Sequence, residues 1–413
     1  MALELLSPAG DVERLTAAVA YGADAVYLAG SRYGMRAFAG NFDGKGLKQA
    51  IDFAHSRGVA VHVTVNTNPR NDELEGLPEY LEQLRDWGVD ALIIGDPGVF
   101  ALARRHAPGV KLHMSTQAGV TNYAAAQYWY DEGASRVILA RELHLDEVAT
   151  IIAKSPKELE VEAFVHGAMC VSWSGRCVLS NYMTGRDASR GACAQPCRYK
   201  YALMEEQRPG EYFPVFEAGG ESFILNSRDM CMIDHIPQLL DIGLTSLKIE
   251  GRAKSAYYAA IVTNAYRHAV DAALKGEPLD PVWRDEVEKV SHRHYSTGFW
   301  FGEPGQYTED ARYIRDWQVV AQVVSCDNEG NALCVLNNKF KQGDTIELVG
   351  PGLRPVAFTV ENLQDDGGVS VQEVRTPSSR FTIKLPCQAP AMSYLRRETS
   401  VTCHILPGMI IYC

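Results

Sequence analysis

The sequence predicts an α/β protein: a (β/α)8, TIM-like barrel with a cysteine-rich insertion between strands 7 and 8, then a small C-terminal antiparallel β-barrel domain. Three observations carry this. A unit of helix, glycine and short strand recurs along the first 140 residues, as in Gly22 before AVYLAG, Gly88 before ALIIGD and Gly133 before RVILAR, and again at Gly243 before SLKIEG. Glycine just past a helix end tolerates the left-handed backbone that turns the chain into the next strand. The strands themselves are continuously apolar rather than alternating, the mark of parallel strands covered on both faces. From about residue 315 the texture changes to short alternating runs, WQVVAQVVSC, ALCVLN, DTIELVG, AFTVENL and FTIKL, separated by Gly, Asn and Asp turns.

Taken in order, strands are expected near residues 3–6, 25–29, 60–65, 91–95, 110–114, 136–140, 159–165 and 246–250. Between them DVERLTAAVAY, YLEQLRDW and LDEVATIIA carry apolar residues at helical spacing. Eight such units close a barrel, with an open doubly wound sheet as the structural alternative. The barrel is assigned residues 1–300 and the β-domain residues 315–413. One connection is abnormally long. The insertion at 167–232 leaves the C-terminal end of strand 7 and holds Cys170, Cys177, Cys193, Cys197 and Cys231. It also contains a candidate hairpin, YKYALMEE and EYFPVFE around QRPG, followed by ESFILNS. The C-terminal ends of barrel strands form the catalytic face, so these thiols are delivered to where chemistry happens.

Bulk properties limit the function. The 413 residues carry a net charge of −11, which speaks against indiscriminate nucleic-acid binding while leaving room for a local basic patch. MALELLSPAGD has neither the basic nor the apolar region of a signal peptide, and no apolar run approaches the roughly 20 residues needed to span a bilayer. A cytoplasmic protein with no membrane partner is expected. In a reducing compartment clustered cysteines bind metal or catalyse more often than they form disulfides.

The spacing C-x6-C-x15-C-x3-C, with Cys231 far downstream, lacks the paired knuckles of structural zinc sites. Convergent soft thiolates at loose spacing suit an iron–sulfur cluster, and the small residues in HGAMC, SGRC and RGAC would let the backbone approach one. Zinc and buried structural thiols are the competing readings. Polar residues fall at strand ends: Asn66, Thr116, Arg141 with Glu142, His166, and Glu250 with Arg252. In a barrel these face the pocket and suit acid–base or substrate-positioning roles. His166 is a candidate proton donor or a satisfied structural histidine, while Lys248 and Glu250 share a strand face and could pair. A peptidase would need a nucleophile and base. There is no H-E-x-x-H and no G-x-S-x-G, and only Cys170 with His166 tempts as a thiol–imidazole pair.

EAFVHGAMCVSWSGRCVLSNYMTGRDASRGACAQPCRYKY, NSRDMCMIDHIPQLLDIGLTSLKIEGRAKS, HRHYSTGFWFGE and the opening LLSPAGDVERLTAAVAYGADAVYLAG together resemble the peptidase U32 family, the collagenase-like proteases, over nearly the whole chain. The domain order is similar to the branch that makes 5-hydroxyuridine in tRNA. That resemblance implies an enzyme hydroxylating the wobble uridine, independent of dioxygen, with prephenate as hydroxyl donor and a [4Fe–4S] cluster. It places the cluster ligands on Cys170, Cys177, Cys193 and Cys231, with Cys197 an extra thiol or a replacement for Cys231. Ribosomal RNA or a ubiquinone precursor as substrate, and a true peptidase, are the alternatives.

The implied partners are tRNA at its anticodon, a small dicarboxylate and an electron donor. The surrounding bases Arg176, Arg186, Arg190, Arg198 and Lys200 would then bind phosphate or carboxylate, to which arginine forks are matched. Within that reading His166, Arg186, Glu250 and Arg252 are the catalytic candidates, and Asn66, Thr116, Arg141 and Arg190 bind substrate. The C-terminal domain is similar to small barrels of translation factors, which bind RNA or merely pack.

Overall fold

The computed structural model describes residues 3–35, 41–170, 177–198, 203–204, 212–213, 227–305 and 313–399. The chain divides into two compact units, Met1–Glu288 with His292–Tyr313, and Lys289–Ser291 with Ile314–Cys413.

In the first unit eight parallel strands close a barrel. They are β1 (Glu4–Pro8), β2 (Ala25–Leu28), β3 (Ala60–Val65), β4 (Ala91–Ile94), β5 (Lys111–Met114), β6 (Arg136–Ile138), β7 (Glu160–Ala168) and, past the insertion, β11 (Ser246–Ile249). Strand β11 pairs with both β1 and β7, which removes every free edge. Helices α1 (Val12–Ala20), α2 (Gly44–His55), α3 (Leu77–Asp86), α4 (Pro97–His106), α5 (Tyr123–Asp131) and α6 (Leu145–Lys154) fill the connections as anticipated. Their starts follow from capping chemistry. Asp11, Asp43, Asp96 and Asn122 each accept a backbone N–H three residues on, satisfying a donor the first turn leaves open. Several of their ends are followed by glycines in the left-handed region, among them Gly88 (φ 78) and Gly133 (φ 100).

The insertion holds a short helix, α7 (Leu179–Thr184), and the small antiparallel pair β8 (Leu203–Met204) and β9 (Tyr212–Phe213). That pair is the described part of the expected hairpin; the rest of it, and ESFILN, lie outside the described residues. A strand the sequence did not reveal follows. β10 (Asp229–Cys231) runs antiparallel against the last residues of β7, with Asp229 opposite Ala168 and Cys231 opposite His166. Three residues are too few to show a period, and the pairing exists because β7 overruns the barrel rim. Helices α8 (Ile236–Asp241) and α9 (Ala256–Lys275) flank β11, and α9 packs its buried face against the barrel.

The second unit is a seven-stranded antiparallel sheet in the order Leu353–Thr359, Thr345–Gly350, Tyr394–Glu398, Trp317–Cys326, Asn331–Leu336, Arg380–Lys384 and Gln364–Asp365. Its core is Val320, Val323, Leu336, Ile346, Leu348, Phe381 and Ile383. The sequence pattern missed Tyr394–Glu398, where Leu395 enters the core and the next residue, Arg396, lies on the opposite face. That side chain is fully buried, bonded to Glu347 at 2.6 Å and stacked over Trp317. A paired, buried arginine there breaks the simple alternation of apolar and exposed polar residues.

Candidate active site at the barrel mouth

The lower half of the barrel interior is polar where such barrels ordinarily hold branched apolar side chains. Arg136 on β6 is buried and bonded to Glu4 (2.5 Å), Glu160 (2.6 Å) and Glu162 (2.9 Å). Glu162 takes a second cation, Lys248, at 2.7 Å. These cations outweigh the cost of burial, so the Glu4 carboxyl lies at about 2 and that of Glu162 is also lowered. His62 and His113 meet edge-on at 4.8 Å in the same layer, and burial drives both toward the neutral form, His62 to about 4. Potential ligand atoms of His62, His113 and Glu162 lie within 4.8 Å of one another, a grouping that could hold a cation. Arg136 and Lys248 already occupy both oxygens of Glu162 and would repel one, so we read this layer as a structural plug.

Above the plug a cavity opens to solvent. Its wall from β3 to β5 presents uncharged polar groups: Asn66, Ser115, Thr116 and Gln117. Asn66 accepts the Met35 N–H at 3.1 Å, and the Thr116 hydroxyl donates to the Leu139 carbonyl at 2.9 Å. The opposite side presents Arg141, Lys248, Glu250 and Arg252, together with Tyr27, Phe164 and Cys170. Arg141 donates to the Ala168 carbonyl at 2.8 Å and lies over the Phe164 ring, while its Nε is buried without a partner among the described residues. Arg252 is 2% exposed and reaches across to Thr64 (3.2 Å) and Asn41 (2.5 Å). Glu250 accepts from the Tyr27 hydroxyl at 3.3 Å.

Seven of the residues singled out from sequence therefore meet in one cavity: Asn66, Thr116, Arg141, Lys248, Glu250, Arg252 and Cys170. Others are placed elsewhere. His166 does not line the cavity. Its Nδ1 meets the Tyr266 hydroxyl at 3.3 Å and its Nε2 that of Tyr295 at 3.4 Å, behind the strand against α9. Burial holds it well below the ordinary histidine range. A β-bulge between Lys248 and Ile249, opposite Phe164 and His166, breaks the alternation that would have aimed His166 inward. With both nitrogens so engaged, the thiol–imidazole pair that a cysteine peptidase would need is not formed.

Lys248 bonds Glu162 rather than the expected Glu250. Arg186, whose Nε donates to the Ala192 carbonyl at 2.9 Å, and Arg190, ion-paired with Glu73, line a separate surface cleft with Arg32, Tyr33 and Asp72. Arg176 and Lys200 lie outside the described residues, as does the side chain of Arg198.

Among the described residues the five clustered cysteines are not joined in disulfides. Cys170 is exposed at the cavity, Cys177, Cys193 and Cys197 are half-buried, and Cys231 is buried. The Cys193 sulfur accepts the Gln195 N–H at 3.4 Å, and that of Cys231 accepts the Tyr266 hydroxyl at 3.9 Å. Burial pushes the Cys231 thiol up to about 11. Sequence reading missed Tyr27, Met35, Ser115, Gln117 and Phe164. The run Ser115–Thr116–Gln117 directly after β5 was the available signal.

The chain belongs to peptidase family U32. That family's description matches residues 10–310, and the peptidase family U32 C-terminal domain matches residues 315–396. It is 40% identical to a tRNA hydroxylation protein P of Helicobacter pylori, aligned over 97% of this chain and 99% of that protein. It is 35% identical to the tRNA hydroxylation protein P of Escherichia coli over 93% of each chain. A 23S rRNA 5-hydroxycytidine C2501 synthase of Escherichia coli is 38% identical over 66% of this chain and 40% of its own length. No helix among the described residues is long and apolar enough to cross a membrane.

Proposed function

We propose that this chain is an RNA-hydroxylating enzyme that converts the wobble uridine of tRNA to 5-hydroxyuridine, with a thiolate-held [4Fe–4S] cluster and a small dicarboxylate, prephenate, as hydroxyl donor. The observation that carries the reading is the two-sided cavity. One wall is neutral and polar, suited to the edge of a base, and the other is rich in cations, suited to an anion. The relatives named for tRNA hydroxylation cover almost the full chain, whereas the ribosomal RNA enzyme shares only part of its length. That difference favours tRNA over the ribosomal base.

The residues divide the work. Arg141 and Arg252 hold carboxylates of the donor, since planar guanidinium forks match carboxylate geometry. Glu250, held by Tyr27, limits how far the positive side extends and is placed to accept a proton. Asn66, Ser115 and Thr116 face a base swung out of its stack, which an anticodon base permits at low cost. Replacing C5–H by C5–OH withdraws two electrons from the base; a donor that gives up its hydroxyl and takes up the hydrogen in exchange is reduced by the same two, so the exchange balances.

Cys170, Cys177, Cys193 and Cys231 would hold the cluster, whose chemistry when bound is one-electron transfer. The donor set fits such a group. It consists of soft sulfurs, two of which already accept hydrogen bonds of the kind that tune cluster potentials. Loading would displace the Cys231 proton, as metal binding to thiols does.

Nucleoside analysis of tRNA tests the substrate. In a bacterial strain stripped of its own tRNA hydroxylation proteins, expression of this chain should restore 5-hydroxyuridine derivatives. Their absence, with folded and iron-loaded protein in the cell, would overturn the reading.

A further inference from the structure

One polar group at the cavity has no use in the account above. Gln117 sits in the short turn Thr116–Ala118 that follows β5, and Ser115 caps that turn. Its Oε1 accepts the Ser115 hydroxyl at 3.4 Å. Gln117 lines the same cavity, and its Nε2 is buried with no hydrogen-bond partner among the described residues. A buried amide donor left unmatched costs on the order of 1–3 kcal/mol, so such a group ordinarily marks a place where something else binds.

The surroundings are shaped to keep this amide where it is. Across from it, at the end of β4, stands Gly95. A Cβ there would come within 2.9 Å of the Asn66 carbonyl and 3.0 Å of Gln117 Oε1. The backbone of β4 thus makes room for the carboxamide, and the hydroxyl of Ser115 orients it. The donor is preorganised and belongs to the wall without formal charge.

We propose that Gln117 determines base specificity by donating from Nε2 to the carbonyl oxygen at C4 of a uracil ring, selecting uridine against cytidine. This deepens the functional reading above and rests on it. Uracil presents an acceptor at C4 and an N–H at N3. Cytosine presents an amino group and a bare nitrogen at those positions, so the Gln117 N–H would face another N–H. A site built to hydrogen-bond a polar edge rejects the analogue that lacks it, because its own buried group is then stranded. A charged side chain at this position would serve an anionic ligand. A neutral amide serves a heterocycle.

The test uses anaerobically purified full-length protein and anticodon stem-loop RNAs that differ only in carrying uridine or cytidine at the wobble position. Binding is read by fluorescence anisotropy, and tRNA hydroxylation is read in the complemented strain. Wild-type protein should bind the uridine RNA about tenfold or more tightly than the cytidine RNA, the size of one good base-edge contact. Gln117→Glu, which offers an acceptor in place of the donor, should bring that ratio to about one. Gly95→Ala, which crowds the amide, should fall between. Iron content and melting temperature of each variant report whether the fold survives.

Two outcomes would overturn the proposal. One is a uridine-to-cytidine ratio unchanged in folded, iron-loaded Gln117→Glu. The other is a loss confined to affinity for the small-molecule donor. Failure of the wild-type chain to restore any 5-hydroxyuridine would instead remove the functional reading beneath it.

Discussion

The base and the mouth of the barrel are built from the same residue types and do opposite things with them. At the base Arg136 and Lys248 face Glu4, Glu160 and Glu162, and every one of these charges has a partner at 2.5–2.9 Å. At the mouth Arg141 and Arg252 stand with Lys248 and Glu250, and their bonds include ones to a carbonyl, a hydroxyl and an amide. Charges that neutralise one another hold a fold together. Cations held by neutral acceptors keep their charge available for a ligand. The difference between structural and functional arginine is therefore a difference of partners, not of residue.

The largest effect should come from unbalancing the base. Arg136→Met would leave buried carboxylates without their cation and cost about 3–5 kcal/mol, read as a shifted urea midpoint. Arg141→Met at the mouth should cost less than about 1 kcal/mol, since it abandons no buried charge, yet reduce tRNA hydroxylation about tenfold or more. If the two substitutions behave alike, the contrast between the regions fails.

The base should also make the protein acid-labile. His62 has its folded value lowered to about 4 from an ordinary 6.5. Between those values the unfolded chain binds a proton that the folded one does not, so stability falls as pH falls through that window, by up to about 1.4 kcal/mol per pH unit. Glu4, lowered to about 2 from 4.5, contributes stability that is complete above 4.5 and is lost as pH drops toward 2. His62→Gln should flatten the upper part of a stability–pH curve and leave the lower part standing. The smallest effect is expected at Arg190, whose partner Glu73 is also partly exposed. Arg190→Ala should change stability by less than about 1 kcal/mol.

The barrel was legible because its signals are local and repeated. Capping residues, left-handed glycines and apolar runs each fix one junction, and all eight strands fall within a few residues of where those signals put them. The mouth was legible where position alone decides, as for Asn66, Thr116, Arg141, Glu250 and Arg252. Sequence failed where a side chain's direction depends on tertiary pairing. His166 was turned away by a bulge, Lys248 found Glu162 across the barrel, and β10 exists only as a partner for β7. Gln117 went unnoticed because nothing in its type distinguishes a surface amide from a buried one.

The claim on which the enzymatic account turns is that the thiols of the insertion hold iron. Anaerobic purification followed by iron and sulfide analysis measures it directly. The account predicts a coloured protein with about four irons and four sulfides per chain, lost together on Cys193→Ser. A colourless protein carrying one zinc and no sulfide would contradict it.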